Sequence, residues 1–278
     1  MKCAWEQLLA VLPPRMRHTV DEQGKDTLQE LRLRLGLPAE LLTTRGSLWN
    51  YPPVREEDLL FCVNTASRYS PWAAATIANG YISIPGGHRM GLCGEVVVEG
   101  GRMRGVRKVT SLCIRVARDL PGIGERADRF QGSILVIGSP GAGKTTLLRD
   151  LIRRRSEQGS GSVAVIDERG ELFPSGVFPT GRRTDILTGC TKAQGISVAL
   201  RTMGPACIAV DEITDGADCE ALMQAGWCGV TLLATAHASG REDLYRRELY
   251  RPLVKSRLFD TLLVLHQDKS WTAERMES

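Results

Sequence analysis

From residue 134 onward, short, mainly apolar runs alternate with stretches whose apolar residues recur every three or four positions. The runs are "ILVIG" (134–138), "VAVID" (163–167), "CIAVD" (207–211), "TLLATA" (231–236) and "LLVL" (262–265). Between them lie "KTTLLRDLIRRR", "TKAQGISVALRTM" and "DCEALMQAG". Strands without polar alternation, separated by helices, predict a parallel sheet covered by helices on both faces. The first part of the chain follows another rhythm. "TLQELRLRLGLP" alternates apolar and basic residues like a half-buried strand, and "REEDLLFCVNTAS" has helical spacing. "YISIPGGHRMGLCGEVVVEGGRMRGVRKV" reads as strands joined by Gly-Gly turns. Between the two parts, "DLPGIGERADRFQGS" (119–133) is polar, rich in Gly and Pro, and has neither hydrophobic period. The expected organisation is therefore an α+β domain over 1–120, a linker over 121–132 and an α/β domain over 133–278. A solvated amphipathic helix is expected in "REDLYRRELYRPLVKSR" (241–257), and a short one in "MKCAWEQLLAVLPPRMRH" at the start.

Composition changes this picture little. The 278 residues are 42% hydrophobic and 24% charged, which is ordinary globular usage. The net charge of +4 lies wholly in the first part: residues 1–130 carry 18 Lys/Arg against 14 Asp/Glu, and residues 131–278 carry 18 against 18. A solvated basic face is the plain reading of so small an excess. Aromatics are only 5%, so no stacking platform for single strands is evident, and no nucleic acid is expected as a partner. The eight cysteines form no C-x-x-C pair, which suits core packing in a reducing cytoplasm. No apolar run approaches the roughly 20 residues that span a bilayer. The expected location is cytoplasmic, at most peripheral at the inner face of a membrane.

The chemistry sits where strands end. "GSPGAGKTT" (138–146) fits G-x-x-x-x-G-K-[ST] between a strand and a helix. In that context Gly138, Ser139, Pro140, Gly141, Ala142, Gly143, Lys144, Thr145 and Thr146 are candidates to bind a nucleoside triphosphate. Backbone N–H groups and a helix N-terminus would close around phosphate oxygens. Lys144 would reach the β- and γ-phosphates, and the Thr145 hydroxyl would ligate Mg²⁺. "CIAVDE" has Walker B form: Asp211 would hold Mg²⁺ through water, and Glu212 would orient or deprotonate the attacking water. A second acidic pair, Asp167 and Glu168, ends the "VAVID" run; alone, it would also fit a solvated strand end. His237 follows "TLLATA" and, alone, would equally fit a core or surface histidine.

The order of phosphate loop, "VIDERGE", "VDEI" and "ATAHASG" resembles the RecA-like secretion ATPases of type II and type IV secretion and pilus systems. Their Asp box, I-E-D-P-x-E, resembles Ile166-Asp167-Glu168-Arg169-Gly170-Glu171, and their His box, T-x-H-A, resembles Thr235-Ala236-His237-Ala238. Arg169 stands where those boxes usually carry proline, and Asp211 where the relatives often carry glycine. The resemblance makes Glu168, Glu212 and His237 the candidate catalytic residues and leaves open which acid activates water. It also implies arginines that close the site, at positions resembling Arg115 in "LCIRVAR" and Arg182 and Arg183 in "TGRRTD". Across nearly the whole chain, "LRLRLGLP", "NGYISIPGGHRMGLCGEVV", "VTSLCIRVARDLPG" and "RTMGPACIAVDEI" resemble the stage III sporulation protein AA family of endospore-forming bacteria. That resemblance implies a mother-cell ATPase using ATP and Mg²⁺. It further implies a homo-oligomeric ring, a hexamer, working with membrane-embedded sporulation channel proteins. A small-molecule P-loop kinase, with Arg182 and Arg183 on a lid, and a nucleic-acid-associated ATPase remain as alternatives. No N-K-x-D tetrapeptide supports a GTPase.

Overall fold

A computed structural model describes residues 1–49, 52–68, 80–174 and 177–276. Asn79, which opens the "NGYISIPGG" string, lies outside the described residues. The chain forms two compact units: Met1–Arg118 with Pro174–Phe178, and Asp119–Phe173 with Pro179–Ser278.

In the first unit, α1 (Trp5–Ala10) and α2 (Pro14–Gln23) share the N-terminal segment. Pro14 opens α2, where its fixed φ suits a first helical turn and its missing N–H goes unused. The strands β1 (Leu28–Arg34), β2 (Glu40–Thr43) and β3 (Gly46–Leu48) precede α3 (Glu56–Arg68). β4 (Tyr81–Ile84), β5 (His88–Glu99) and β6 (Arg102–Arg115) follow, and the sheet runs β3-β2-β1-β6-β5-β4. All its pairings are antiparallel. Leu31 and Leu33 of β1 pair with Ile114 and Leu112 of β6 and turn inward, while Arg32 between them is exposed. Leu8, Leu12 and Leu59 pack against that inner face with Ile82 and Met90. The β5–β6 hairpin turns at Gly100 and Gly101, whose φ values of 58° and 75° suit the tight primed turn that matches strand twist.

A buried histidine ties this unit together. His88 is 1% exposed; its Nδ1 accepts the Ala117 N–H at 3.1 Å and its Nε2 lies 2.9 Å from the Ala4 carbonyl. A ring that accepts at Nδ1 donates at Nε2, so both bonds require the neutral imidazole. Burial pushes its pKa below the usual value, against the smaller opposing pull of the Ala4 carbonyl. The unfolded chain then takes up a proton below about pH 6.5 that the folded chain refuses. Stability is expected to be full above that pH and to fall as pH drops through it. Denaturant unfolding at stepped pH should show this slope, and His88→Gln should flatten it.

The second unit is built as the apolar runs predict. It contains β7 (Ile134–Gly138), α4 (Lys144–Gln158), β8 (Val163–Asp167), β9 (Thr184–Thr188), α5 (Lys192–Thr202) and β10 (Cys207–Val210). After these come α6 (Gly216–Trp227), β11 (Thr231–Ala236), α7 (Arg241–Arg246), α8 (Arg251–Ser256), β12 (Thr261–Leu265) and β13 (Trp271–Arg275). The sheet order is β13-β12-β7-β11-β10-β8-β9, parallel except for β13. Every residue of β7, β8, β10 and β12 is buried, hence sequences that are apolar except at Asp167 and Thr261. The two edge strands, β9 and β13, were not expected, because each has polar and partly exposed positions. The single helix expected over 241–257 is two short ones. Arg247 is extended (φ −75°, ψ 121°), and Pro252 suits only the first turn of a new helix.

Residues 121–132, expected as a linker, fold with this second unit. The Gly122 and Gly124 N–H groups donate to Asp150 of α4 at 3.0 and 2.8 Å. Arg153 joins Asp150 to the fully buried Asp119 at 2.6 and 2.7 Å. Among the described residues, no helix is long and apolar enough to cross a membrane.

Candidate active site

The carboxyl ends of β7, β8, β10 and β11 share one edge of the sheet, and β7 lies between β11 and β12, both formed later in the chain. Ligand crevices in open α/β sheets form at such places. From β7 the chain enters the loop Ser139–Gly143 and then α4. Gly143 caps that helix at φ 108°, a conformation that a side chain would strain.

Lys144, the first residue of α4, is 7% exposed. Its ammonium donates to the Gly138 carbonyl (2.8 Å), the Ser139 carbonyl (3.1 Å) and His237 Nδ1 (2.9 Å), which uses all three of its protons. Burial lowers its pKa, and the charges of Asp211 and Glu212 work against that. Because an ammonium cannot accept, His237 takes that bond with a bare Nδ1 and keeps its proton on Nε2, 3.0 Å from Glu212 Oε1. Thr145 Oγ1 donates to Asp211 Oδ2 at 2.7 Å. Thus Lys144, Thr145, Asp211, Glu212 and His237, read from three separate strings, form one hydrogen-bonded set.

Thr235 completes the set, and its role was not visible in sequence. Fully buried at the end of β11, it donates to Asp211 Oδ1 at 2.6 Å and accepts the Glu212 N–H at 2.8 Å. One hydroxyl thereby fixes both acids. It also anchors Glu212 in the left-handed region, at φ 50°, a conformation uncommon for residues with side chains and concentrated at functional sites.

The second acidic pair divides: Asp167 turns into the protein, and Glu168 stays partly exposed. Asp167, 3% exposed, accepts the N–H groups of Glu171, Leu172 and Phe173 at 2.9, 3.0 and 3.1 Å. Burial raises its pKa, those N–H groups pull it back, and Asp211 adds to the rise. Arg149 of α4 donates to the Glu171 and Leu172 carbonyls of the same turn. Burial brings its pKa down to about 10, with Asp119, Asp211 and Asp167 opposing. Glu168 lies 2.7 Å from the ammonium of Lys192, and Arg169 lies 4.0 Å from Glu212. These residues line one crevice with Asp211, Glu212 and Thr214.

Of the candidate arginines, Arg182 and Arg183 of this unit lie away from these residues. Arg115, on β6 of the first unit, is 3.6 Å from Glu30. Arg182 pairs with Glu157 at 3.3 Å. Arg183 donates to the Ser156 and Gly159 carbonyls at the far end of α4. That end lies about 22 Å along the helix from Lys144, at about 1.5 Å per residue over 15 residues. Among the described residues, no cluster of three or more His, Cys, Asp or Glu could hold a metal. The adjacent oxygens of Thr145 and Asp211 do suit Mg²⁺, a hard cation that keeps several waters and takes few protein ligands.

The chain has a mixed α/β fold with two sheets, one of them mostly parallel, and the fold is similar to that of solved ATPases. It is similar in structure to the Legionella pneumophila ATPase DotB, with a TM-score of 0.61 and 18% identity over 95% of this chain and 81% of that one. It is also similar to the pilus retraction motor PilT with bound ADP, with a TM-score of 0.54 and 16% identity over 89% of this chain and 76% of that one. The chain belongs to the family described as Sporulation stage III, protein AA, which matches residues 3–274. Stage III sporulation protein AA of Bacillus subtilis (strain 168) is 34% identical over 95% of this chain and 91% of its own.

Proposed function

We propose that this protein binds ATP with Mg²⁺ and hydrolyses it, as a ring-forming motor in endospore formation. The observation that carries the reading is the convergence of the Lys144 ammonium, the Thr145 hydroxyl and the Asp211 and Glu212 carboxylates at one sheet edge. In this reading the loop 138–146 and the N-terminus of α4 hold the phosphates, and Lys144 takes the charge of the β- and γ-groups. Thr145 and Asp211 would hold Mg²⁺, which supplies charge neutralisation between the phosphates. Glu212 takes the proton of the attacking water. Its carboxylate is half exposed and directed by the His237 N–H. The Glu168 carboxylate, engaged by Lys192, supports the site without touching that water.

The ring, hexameric in this reading, would work beside membrane-embedded channel proteins from the cytoplasmic side, consistent with family membership and the likeness to DotB and PilT. Arg182 and Arg183 contact the far end of α4, too far to reach their own Lys144, so a part in closing a site would have to be played at a neighbour's. The test is phosphate release from ATP by the purified chain, with and without Mg²⁺, alongside particle mass by light scattering. Mg²⁺-dependent release from an oligomer supports the reading. No release, or turnover only with a small-molecule acceptor, overturns it and favours a kinase.

A further inference from the structure

The amine of Lys192 sits where the local structure disfavours it. Thr191 caps α5 in a reciprocal capping box with Gln194, which places Lys192 in the first turn. A helix N-terminus carries positive partial charge and repels cations. Lys192 is also 5% exposed, and burial penalises its charge. Three groups from two other segments offset both effects. Glu168, at the exit of β8, is 2.7 Å away; Asp218, in the first turn of α6, is 3.3 Å away; Thr214 Oγ1 is 3.5 Å away. Asp218 in turn accepts the Thr214 N–H at 2.9 Å and its hydroxyl at 3.1 Å. Thr214 stands two residues beyond Glu212. A local preference overridden in this way marks a position set by function and not by the helix.

We propose that Lys192 is a positioning residue. Its ammonium clamps Glu168 to the Thr214–Asp218 segment, and so holds the two acidic strand ends, of β8 and β10, at a fixed separation. This rests on the ATP-hydrolysing reading of the same crevice. Without the clamp, Glu168 and Asp218 face each other unneutralised beside Asp211 and Glu212, and mutual repulsion moves Glu212 from its place. Lys192 does this without touching the nucleotide. Glu168, held as a carboxylate on an ammonium, is then a strut, and Glu212 is left as the base.

The test uses the full chain with Lys192→Met, Glu168→Gln and both together, measuring kcat and the ATP dissociation constant separately. Lys192→Met should lower kcat by about 10- to 100-fold, the scale of a small misplacement of reacting groups, with ATP affinity unchanged. The double variant should be no slower than the slower single one, because both substitutions break one clamp. An unchanged kcat, a parallel loss of ATP affinity, or losses that multiply would each overturn the proposal. Should Lys192→Met fail to fold, the double variant compared with Glu168→Gln decides: equal kcat upholds the clamp, and a further drop overturns it. Denaturant unfolding of the same proteins without nucleotide provides a readout independent of turnover. If the wild type releases no phosphate, the ATPase reading fails by itself. Non-additive unfolding midpoints would then still uphold the clamp, and additive ones would overturn it.

Discussion

Glu212→Gln is expected to leave ATP bound and to slow its hydrolysis by about 10²- to 10⁴-fold, the usual contribution of a general base. The amide keeps the size of the side chain, and its oxygen can still accept the His237 N–H that lies at 3.0 Å in the wild type. The backbone anchor is untouched as well, since Thr235 binds the Glu212 N–H and not its carboxylate. What disappears is the charge and the ability to take a proton. Glu168→Gln tests the other acid: it should also slow turnover, through the lost contact with Lys192, but less. Single-turnover hydrolysis with ATP affinity measured in parallel separates these outcomes. A normal rate in Glu212→Gln together with a dead Glu168→Gln would transfer the base to Glu168.

The parallel sheet was legible because its central strands are buried on both faces, so β7, β8, β10, β11 and β12 read as apolar runs. β9 and β13 were not, because an edge strand satisfies solvent on one side and its sequence mixes Thr, Asp and Glu with apolar residues. The loop 138–146 and the acids at strand ends stand out in the sequence because the nucleotide chemistry proposed for them needs fixed residue types at fixed spacing. Lys192 was invisible for the opposite reason. A lysine in "GCTKAQG" resembles any helix-start lysine, and its partners lie 24 and 26 residues away on either side, at Glu168 and Asp218. Arg149 was hidden similarly: within "LLRDLIRRR" it reads as one more solvated cation, yet its guanidinium is buried against the carbonyls of Glu171 and Leu172. Thr235 lies in "TLLATA", but only the fold shows that its hydroxyl meets Asp211 and the Glu212 amide together.

Lys144→Ala is expected to abolish measurable turnover and to weaken ATP binding while the fold persists. The ammonium is positioned by two backbone carbonyls, those of Gly138 and Ser139, so its place is set by the loop and not by a flexible partner. A fixed positive donor in a partly desolvated crevice is worth more to developing phosphate charge than one in water, because nothing must reorganise when the charge appears. Removing a single neutral donor of this kind slows reactions by about 10²- to 10³-fold, and a cation should give at least that. The helix itself gains little reason to unfold: alanine is the best helix former, and the first residue of α4 needs no side-chain bond to start it. Lys144→Arg should not restore activity, although it keeps the charge. The guanidinium is planar and longer, and it cannot place one compact donor among the two carbonyls and His237 Nδ1. Isothermal titration with ATP, phosphate release and the unfolding midpoint of both variants check this. Wild-type affinity and rate in Lys144→Ala would remove the loop from the chemistry altogether. Loss of both with an unchanged midpoint places the lysine at the phosphates.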